Sequence, residues 1–294
     1  MPNLSGTLAI DRAGVPLSED AYGRAKRQAF VEAVIAESNP KTVLDFGCGT
    51  GAQLTWPLAQ AHPAVSFLGI DSDRTTIDWA RRQPALPNLA YAIEEAGPSG
   101  QHFDLIIASE VLEHVEAPDA LLRHFGTLLA EGGRLIVTVP NGYGPFEAAS
   151  LVEQLLTLGG VLPVLRAIKH ALFGKPRIDA SEALTLAVSP HINFFSYAAM
   201  RTLLREAGFE VLRFRSRTVF CGFIIDWVIR GPLIGWNAAL ADRLPAPCAS
   251  DWMFVCVKSQ APATVVSSWR RNRFDRLRRT LSERRWAGVS LTYR

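Results

Sequence analysis

The stretch Thr42-Val43-Leu44-Asp45-Phe46-Gly47-Cys48-Gly49-Thr50-Gly51 constrains this chain more than any other. An apolar run with β-branched residues predicts a strand, Asp45 stands near its carboxyl end, and three glycines at alternate positions follow. Ala52 to Ala61 then reads as a helix, stopped by His62-Pro63. A strand, a glycine-rich turn and a helix start together suit an anionic or zwitterionic ligand. Glycine lets backbone approach it, and the N–H groups of the first helical turn face it. The spacing is G-x-G-x-G, without the later glycine of the dinucleotide fingerprint.

Further elements follow in order. Val65-Ser66-Phe67-Leu68-Gly69-Ile70 is a second short apolar run, ending in Asp71, where an acid can accept hydrogen bonds from ribose hydroxyls. Phe103 to Ser109 is another, leading into Glu110-Val111-Leu112-Glu113-His114-Val115, and Gly132 to Asn141 another still. Between them lie helical patterns at Arg74–Arg82 and from Pro118 to Leu129, the latter ended by Glu131-Gly132-Gly133. Strand alternating with helix implies a parallel sheet with right-handed crossovers. This ordered set resembles the class I S-adenosylmethionine-dependent methyltransferases, nearest the small-molecule O-methyltransferases that include quinone-biosynthesis enzymes. The resemblance covers residues 41 to 141 closely and 191 to 258 loosely.

It implies an α/β, Rossmann-like sheet of order 3-2-1-4-5-7-6, with strand 7 antiparallel and with helical insertions. The organisation expected is a helical cap (1–40), a cofactor-binding core (41–141), a helical insertion (142–190), a core helix and strand six (191–219), an apolar insertion (220–250), strand seven (251–259) and a basic tail (260–294). S-adenosylmethionine would be held by Asp45, Gly47, Cys48, Gly49, Gly51 and Asp71, with Ser72, Glu94 and Ser109. The cap helix, opened by Ser18-Glu19-Asp20 and running to Ser38, would cover the cofactor or simply pack.

Apolar residues make up 48% of the 294 and charged ones only 20%, so a sizeable core is available and wholesale disorder is not expected. No uninterrupted apolar run reaches the ~18–20 residues of a membrane-spanning helix. Met1 to Ser18 lacks a basic region followed by an apolar stretch, so no signal peptide is expected. Cys48, Cys221, Cys248 and Cys256 have no C-x-x-C spacing, which fits reduced thiols in a cytoplasmic protein.

Methyl transfer from a sulfonium needs in-line positioning, deprotonation of the nucleophile and exclusion of water. Glu110, Glu113 and His114 share one side of a helical turn at i, i+3 and i+4, and His191 can join them from before the last helix. Three roles are open to this set. It can hold a divalent cation such as Mg²⁺ to activate a hydroxyl. His114 or His191 can act as a general base. The set can also be a buried hydrogen-bond network joining two loops. Alternatives for the whole chain are a non-catalytic S-adenosylmethionine-binding or assembly protein and an RNA methyltransferase using the basic tail.

The two apolar insertions can form a lid over an apolar acceptor, rest on a membrane, or pack together as a small subdomain. Residues 269 to 285 hold eight arginines against Asp275 and Glu283, a local charge of +6 that leaves the rest near −3. Arg270, Arg271 and Arg273 can meet an anionic membrane. No nucleic-acid partner is expected, for want of an RNA-binding fold. The tail reads as solvated and partly helical, with little core, and dispensable for chemistry. The expected acceptor is a small-molecule, lipid-linked or glycan hydroxyl.

Overall fold

The computed structural model describes residues 9–10, 16–17, 22–94, 100–161, 164, 168, 190–221, 228–260 and 269–290. Five strands, β1 (Thr42–Phe46), β2 (Ser66–Asp71), β3 (Leu89–Ile93), β4 (Phe103–Ser109) and β5 (Leu129–Pro140), run parallel. With β6 (Phe209–Ser216) and β7 (Asp251–Lys258) they form a seven-stranded sheet ordered β3-β2-β1-β4-β5-β7-β6. β7 is antiparallel to both β5 and β6. Fold and strand order are those the resemblance implies.

The central strands read as unbroken apolar runs because both faces are covered. Val43 and Leu44 are both fully buried, yet successive side chains point oppositely and enter different cores. Leu44, Ile106 and Val137 pack with Phe125 of α4 (Pro118–Leu128) and with Met200 and Leu203 of α6 (Tyr197–Glu206). Val43, Leu105 and Ile107 pack with Val31 and Val34 of α1 (Arg24–Ser38) and Leu58 of α2 (Thr55–Ala61). Each fully buried aliphatic side chain of this kind is worth roughly 1.5–3 kcal/mol. α3 (Arg74–Ala80) is opened by the Asp73 carboxylate, which accepts from Thr75 N at 2.8 Å. α5 (Pro145–Leu158), α7 (Pro232–Ala241) and α8 (Arg273–Ser290) complete the described α-helices. Parallel strands end at one edge, so Asp45, Asp71 and Ser109 meet there.

Several boundaries differ from expectation. α1 begins after Gly23, and the Ser18-Glu19-Asp20 cap lies outside the described residues. α2 begins at Thr55 rather than Ala52, because the chain turns through residues 52–54 first. Glu131-Gly132-Gly133 belongs to β5, which starts at Leu129 and absorbs the glycines in a register shift opposite Phe103 and Leu105. β6 stops at Ser216 rather than Val219. No helix among the described residues is long and apolar enough to cross a membrane. The four cysteines form no disulfide.

The tail corrects its reading most. α8 packs on α5, burying Asp275, Arg278 and Ser282. The Arg278 guanidinium donates to Glu147 at 2.7 Å and to the Gly142 carbonyl, and lies 3.7 Å over the Phe194 ring. Arg271, proposed for a membrane, donates instead to Asn193 Oδ1 at 2.8 Å and to the Glu116 carbonyl at 2.9 Å. A tail tied down by buried charge is part of the fold.

Candidate active site

The turn after β1 is built by glycine. Gly51 has φ 69°, a left-handed conformation costly to other residues, and a Cβ there would collide with the Tyr91 hydroxyl. Gly47 has φ 72° and faces Val111, which a Cβ would meet at 2.6 Å. The loop's amides are largely spent internally. Gly47 N and Cys48 N donate to Ile70 O at 2.8 and 2.9 Å, and Gly49 N donates to Asp71 Oδ2 at 2.8 Å. The expected cradle of outward N–H groups is therefore replaced by side chains and by open space above Gly49.

That space is a cleft of about 960 Å³. Asp45, Gly47, Cys48, Gly49, Asp71, Ser72, Glu94 and Ser109 line it, as do Glu110 and His114. Gly51 sits behind it, under Tyr91. Acids from two strand ends, a glycine floor and a volume above the usual lower bound for small-molecule sites fit a zwitterionic, ribose-bearing cofactor. Burial pushes the Asp45 carboxyl up to about 7, against the hydrogen bond from Thr55 Oγ1 at 2.6 Å and the nearby Arg27 guanidinium. None of the described residues of the two insertions lines this cleft, so the lid expected over it is not among them.

Glu110, Glu113 and His114 do not share a helical face. Glu110 stands at φ 58° and the chain then makes one tight turn, with His114 N on Val111 O at 2.9 Å. The turn separates the acids. Glu110 accepts from Thr138 Oγ1 at 2.6 Å and from Arg217 at 3.2 Å, and Arg217 also donates to Asp251 at 2.7 Å. Burial alone would raise the Glu110 carboxyl, but Arg217 and Arg27 outweigh it and hold it low.

Glu113 turns inward, fully buried, and neither carboxylate oxygen has a hydrogen-bond partner. Burial, then the Glu110 charge, pushes its carboxyl up. His114 Nε2 is 3.8 Å from Glu113 Oε1, and the His114 and His191 rings meet edge to face at 5.0 Å. Glu113, His114 and His191 each offer a ligand atom within 4.8 Å of the others. His191 Nδ1 lies 2.6 Å from Glu147 Oε1. Burial would lower that imidazole, but Glu147 outweighs it and pushes it up to about 9. His114 Nδ1 lies 3.1 Å from the Pro190 carbonyl, which can only accept. The neutral ring thus carries its proton on Nδ1, and Nε2 is its basic nitrogen. Burial and the neighbouring His191 lower His114 to about 4, so it is neutral at pH 7.

Sequence reasoning missed Arg27, Arg217, Asp251, Glu147 and Arg278. One signal was available for Arg27, which occupies the apolar stripe of α1 with Phe30, Val31 and Val34. It donates to Ser109 Oγ at 3.2 Å, with Gln53 beyond at 3.4 Å. The others pair across distances no local pattern encodes.

The tail contacts carry a prediction. Arg279 pairs with Glu116 and Glu283 at the surface, so Arg279→Ala should cost under about 1 kcal/mol. Arg278→Ala should cost about 1.5–3 kcal/mol, because a buried charge-assisted bond is lost while Glu147 keeps His191 as partner. Urea unfolding of the two variants checks this, and equal costs would contradict a docked tail.

The family model for a methyltransferase domain matches residues 21–213. Over 207 residues the chain is 32% identical to trans-aconitate 2-methyltransferase of Methylobacterium radiotolerans, covering 70% of this chain and 73% of that protein. A trans-aconitate 2-methyltransferase of Deinococcus radiodurans is 36% identical over 38% of this chain. A ubiquinone biosynthesis O-methyltransferase of Coxiella burnetii is 35% identical over 34% of it. In these last two the match spans less than half of the relative, 43% and 44%.

Proposed function

The chain belongs to the class I S-adenosylmethionine-dependent methyltransferases, and from that premise we propose that it transfers the sulfonium methyl to a hydroxyl of a small-molecule or lipid-linked acceptor. The observation that carries this is one cleft holding both the glycine floor with Asp45 and Asp71, and His114. Asp71 takes the ribose hydroxyls while its carboxylate stays fixed by Gly49 N and Asp73 N. Asp45 faces the cationic methionine end. His114 Nε2 removes the acceptor's hydroxyl proton. A weak base suffices, because an oxygen gaining a methyl becomes strongly acidic as the bond forms. The exposed apolar side chains of the two insertions do not line the cleft but stand at the same edge of the sheet, which supports an apolar acceptor presented there over a glycan.

A second reading has its own observation, the unbonded Glu113 carboxylate against two imidazoles. A divalent cation held by Glu113, His114 and His191 would supply Lewis acidity to the acceptor oxygen. Two imidazoles and one carboxylate suit a transition metal better than Mg²⁺, and Glu147 on His191 is the supporting partner such a ligand uses. Turnover that survives dialysis against a chelator selects the base, and loss restored by one metal selects the cation.

Calorimetry with S-adenosylmethionine tests the cofactor half. Asp71→Ala should weaken binding by about tenfold or more, as two charge-assisted hydrogen bonds are lost. Binding should also be about tenfold tighter at pH 8 than at pH 6. The Asp45 carboxyl is protonated below about 7 in the free protein, and a bound cation favours its ionised form. Unchanged affinity in the variant, or affinity that falls with rising pH, would contradict the assignment.

A further inference from the structure

Over residues 273–283, whose side chains are described, the polarity of α8 is reversed. Its buried face is Asp275, Arg278 and Ser282, at i, i+3 and i+7, and its outward face carries Phe274 and Leu277, 49% and 57% exposed. Arg273 and Arg276 are exposed beside them. A helix docked on its own protein by apolar packing shows the opposite arrangement. Here one buried ion pair and several hydrogen bonds hold the helix, and the apolar side chains are left facing outward.

The pattern extends to the neighbouring elements. Of the fourteen large apolar side chains exposed among the described residues, thirteen lie in α8 and the two insertions, and only Leu212 lies elsewhere. α5, against which α8 packs, exposes Val152 and Leu155. α7 exposes Leu233 and Trp236, the latter stacked on Phe220. Both insertions leave the sheet at its carboxyl edge, after β5 and after β6, which is the edge that bears the cleft. Exposed apolar side chains on several elements at one edge of the sheet, with basic residues beside those of α8, mark an interaction site. Its charge complements an anionic partner, and aliphatic side chains set among arginines match the boundary of headgroups and acyl chains.

We propose that α8, with the exposed apolar side chains of the two insertions, docks this protein on an anionic lipid bilayer, Phe274 and Leu277 entering the acyl boundary while Arg273 and Arg276 meet lipid phosphates. The cleft's edge of the sheet is thereby turned toward the membrane, where a lipid-linked acceptor lies. This deepens the reading of the acceptor as apolar, but surface binding is read independently of chemistry.

The test uses the full chain with vesicles of phosphatidylcholine alone and of phosphatidylcholine mixed with phosphatidylglycerol. Co-sedimentation should favour the mixed vesicles by more than about tenfold at low salt and lose that preference at high salt. Phe274→Ser with Leu277→Ser, and separately Arg273→Glu with Arg276→Glu, should each lower binding to mixed vesicles more than about tenfold. Calorimetry with S-adenosylmethionine should give wild-type affinity in both variants, showing that they are folded. Equal partition into both vesicle types, or variants that bind as wild type does, would overturn the proposal. So would a concentration-dependent dimer, abolished by the same variants, without vesicle binding, since a second copy would then be the occupant. Failure of cofactor binding in the wild type would count against the enzymatic reading and not against this surface.

Discussion

Replacing Arg217 with methionine is expected to destabilise the protein by about 3–5 kcal/mol, with a melting temperature lower by roughly 10 °C. Arg217 is 5% exposed, and its guanidinium joins Glu110, at the end of β4, to Asp251, at the start of β7. Burial alone would lower its pKa, but Asp251 and Glu110 outweigh that and raise it. Without it two carboxylates face each other in the interior, with the buried Arg27 the remaining cation. Asp251→Asn in the same background should recover part of the loss, because it removes one of the two orphaned charges. Thermal unfolding of the single and double variants measures both. An Arg217→Met protein as stable as the parent would show that the cluster does not hold the strands. Glu110 itself depends on the cluster, since its left-handed backbone is secured by Glu110 N on Thr138 O at 2.9 Å and by the bonds to its carboxylate.

His114→Ala is expected to lower kcat by about 10²–10⁴-fold, the range for loss of a positioned general base. Affinity for S-adenosylmethionine should change little, because the cofactor contacts proposed above come from the β1 and β2 ends. Single-turnover kinetics with a phenolic or lipid-linked hydroxyl acceptor separate the chemical step from binding. A fall in cofactor affinity with kcat intact would place His114 in the cofactor site instead. The same variant abolishes metal-assisted transfer, so chelation decides between the two readings and mutation does not.

The cofactor half of the cleft was legible in the sequence because its parts are local. β1, its glycine turn and Asp45 lie within ten residues, and Asp71 closes the next strand. Parallel pairing then brings both strand ends to one edge, so eight of the nine residues expected around the cofactor line one cleft. Gly51 falls behind it for a steric reason, the Tyr91 ring pressed against its face. The spacing of Glu110, Glu113 and His114 was equally visible, yet a left-handed Glu110 sent the two acids to opposite environments.

Sequence alone determined the strand-and-helix alternation, the order of the elements and the glycine turn, since backbone periodicity and positive φ are read residue by residue. Only the tertiary structure decided which charges meet. Glu110 finds Arg217 at a separation of 107 residues, Glu147 finds Arg278 at 131, and Glu147 finds His191 at 44. The same pairing decided that the arginine-rich end is docked: seen as composition it is a solvated run of charge, and only the buried carboxylate of Glu147 gives Arg278 a reason to turn inward and Phe274 a reason to face out.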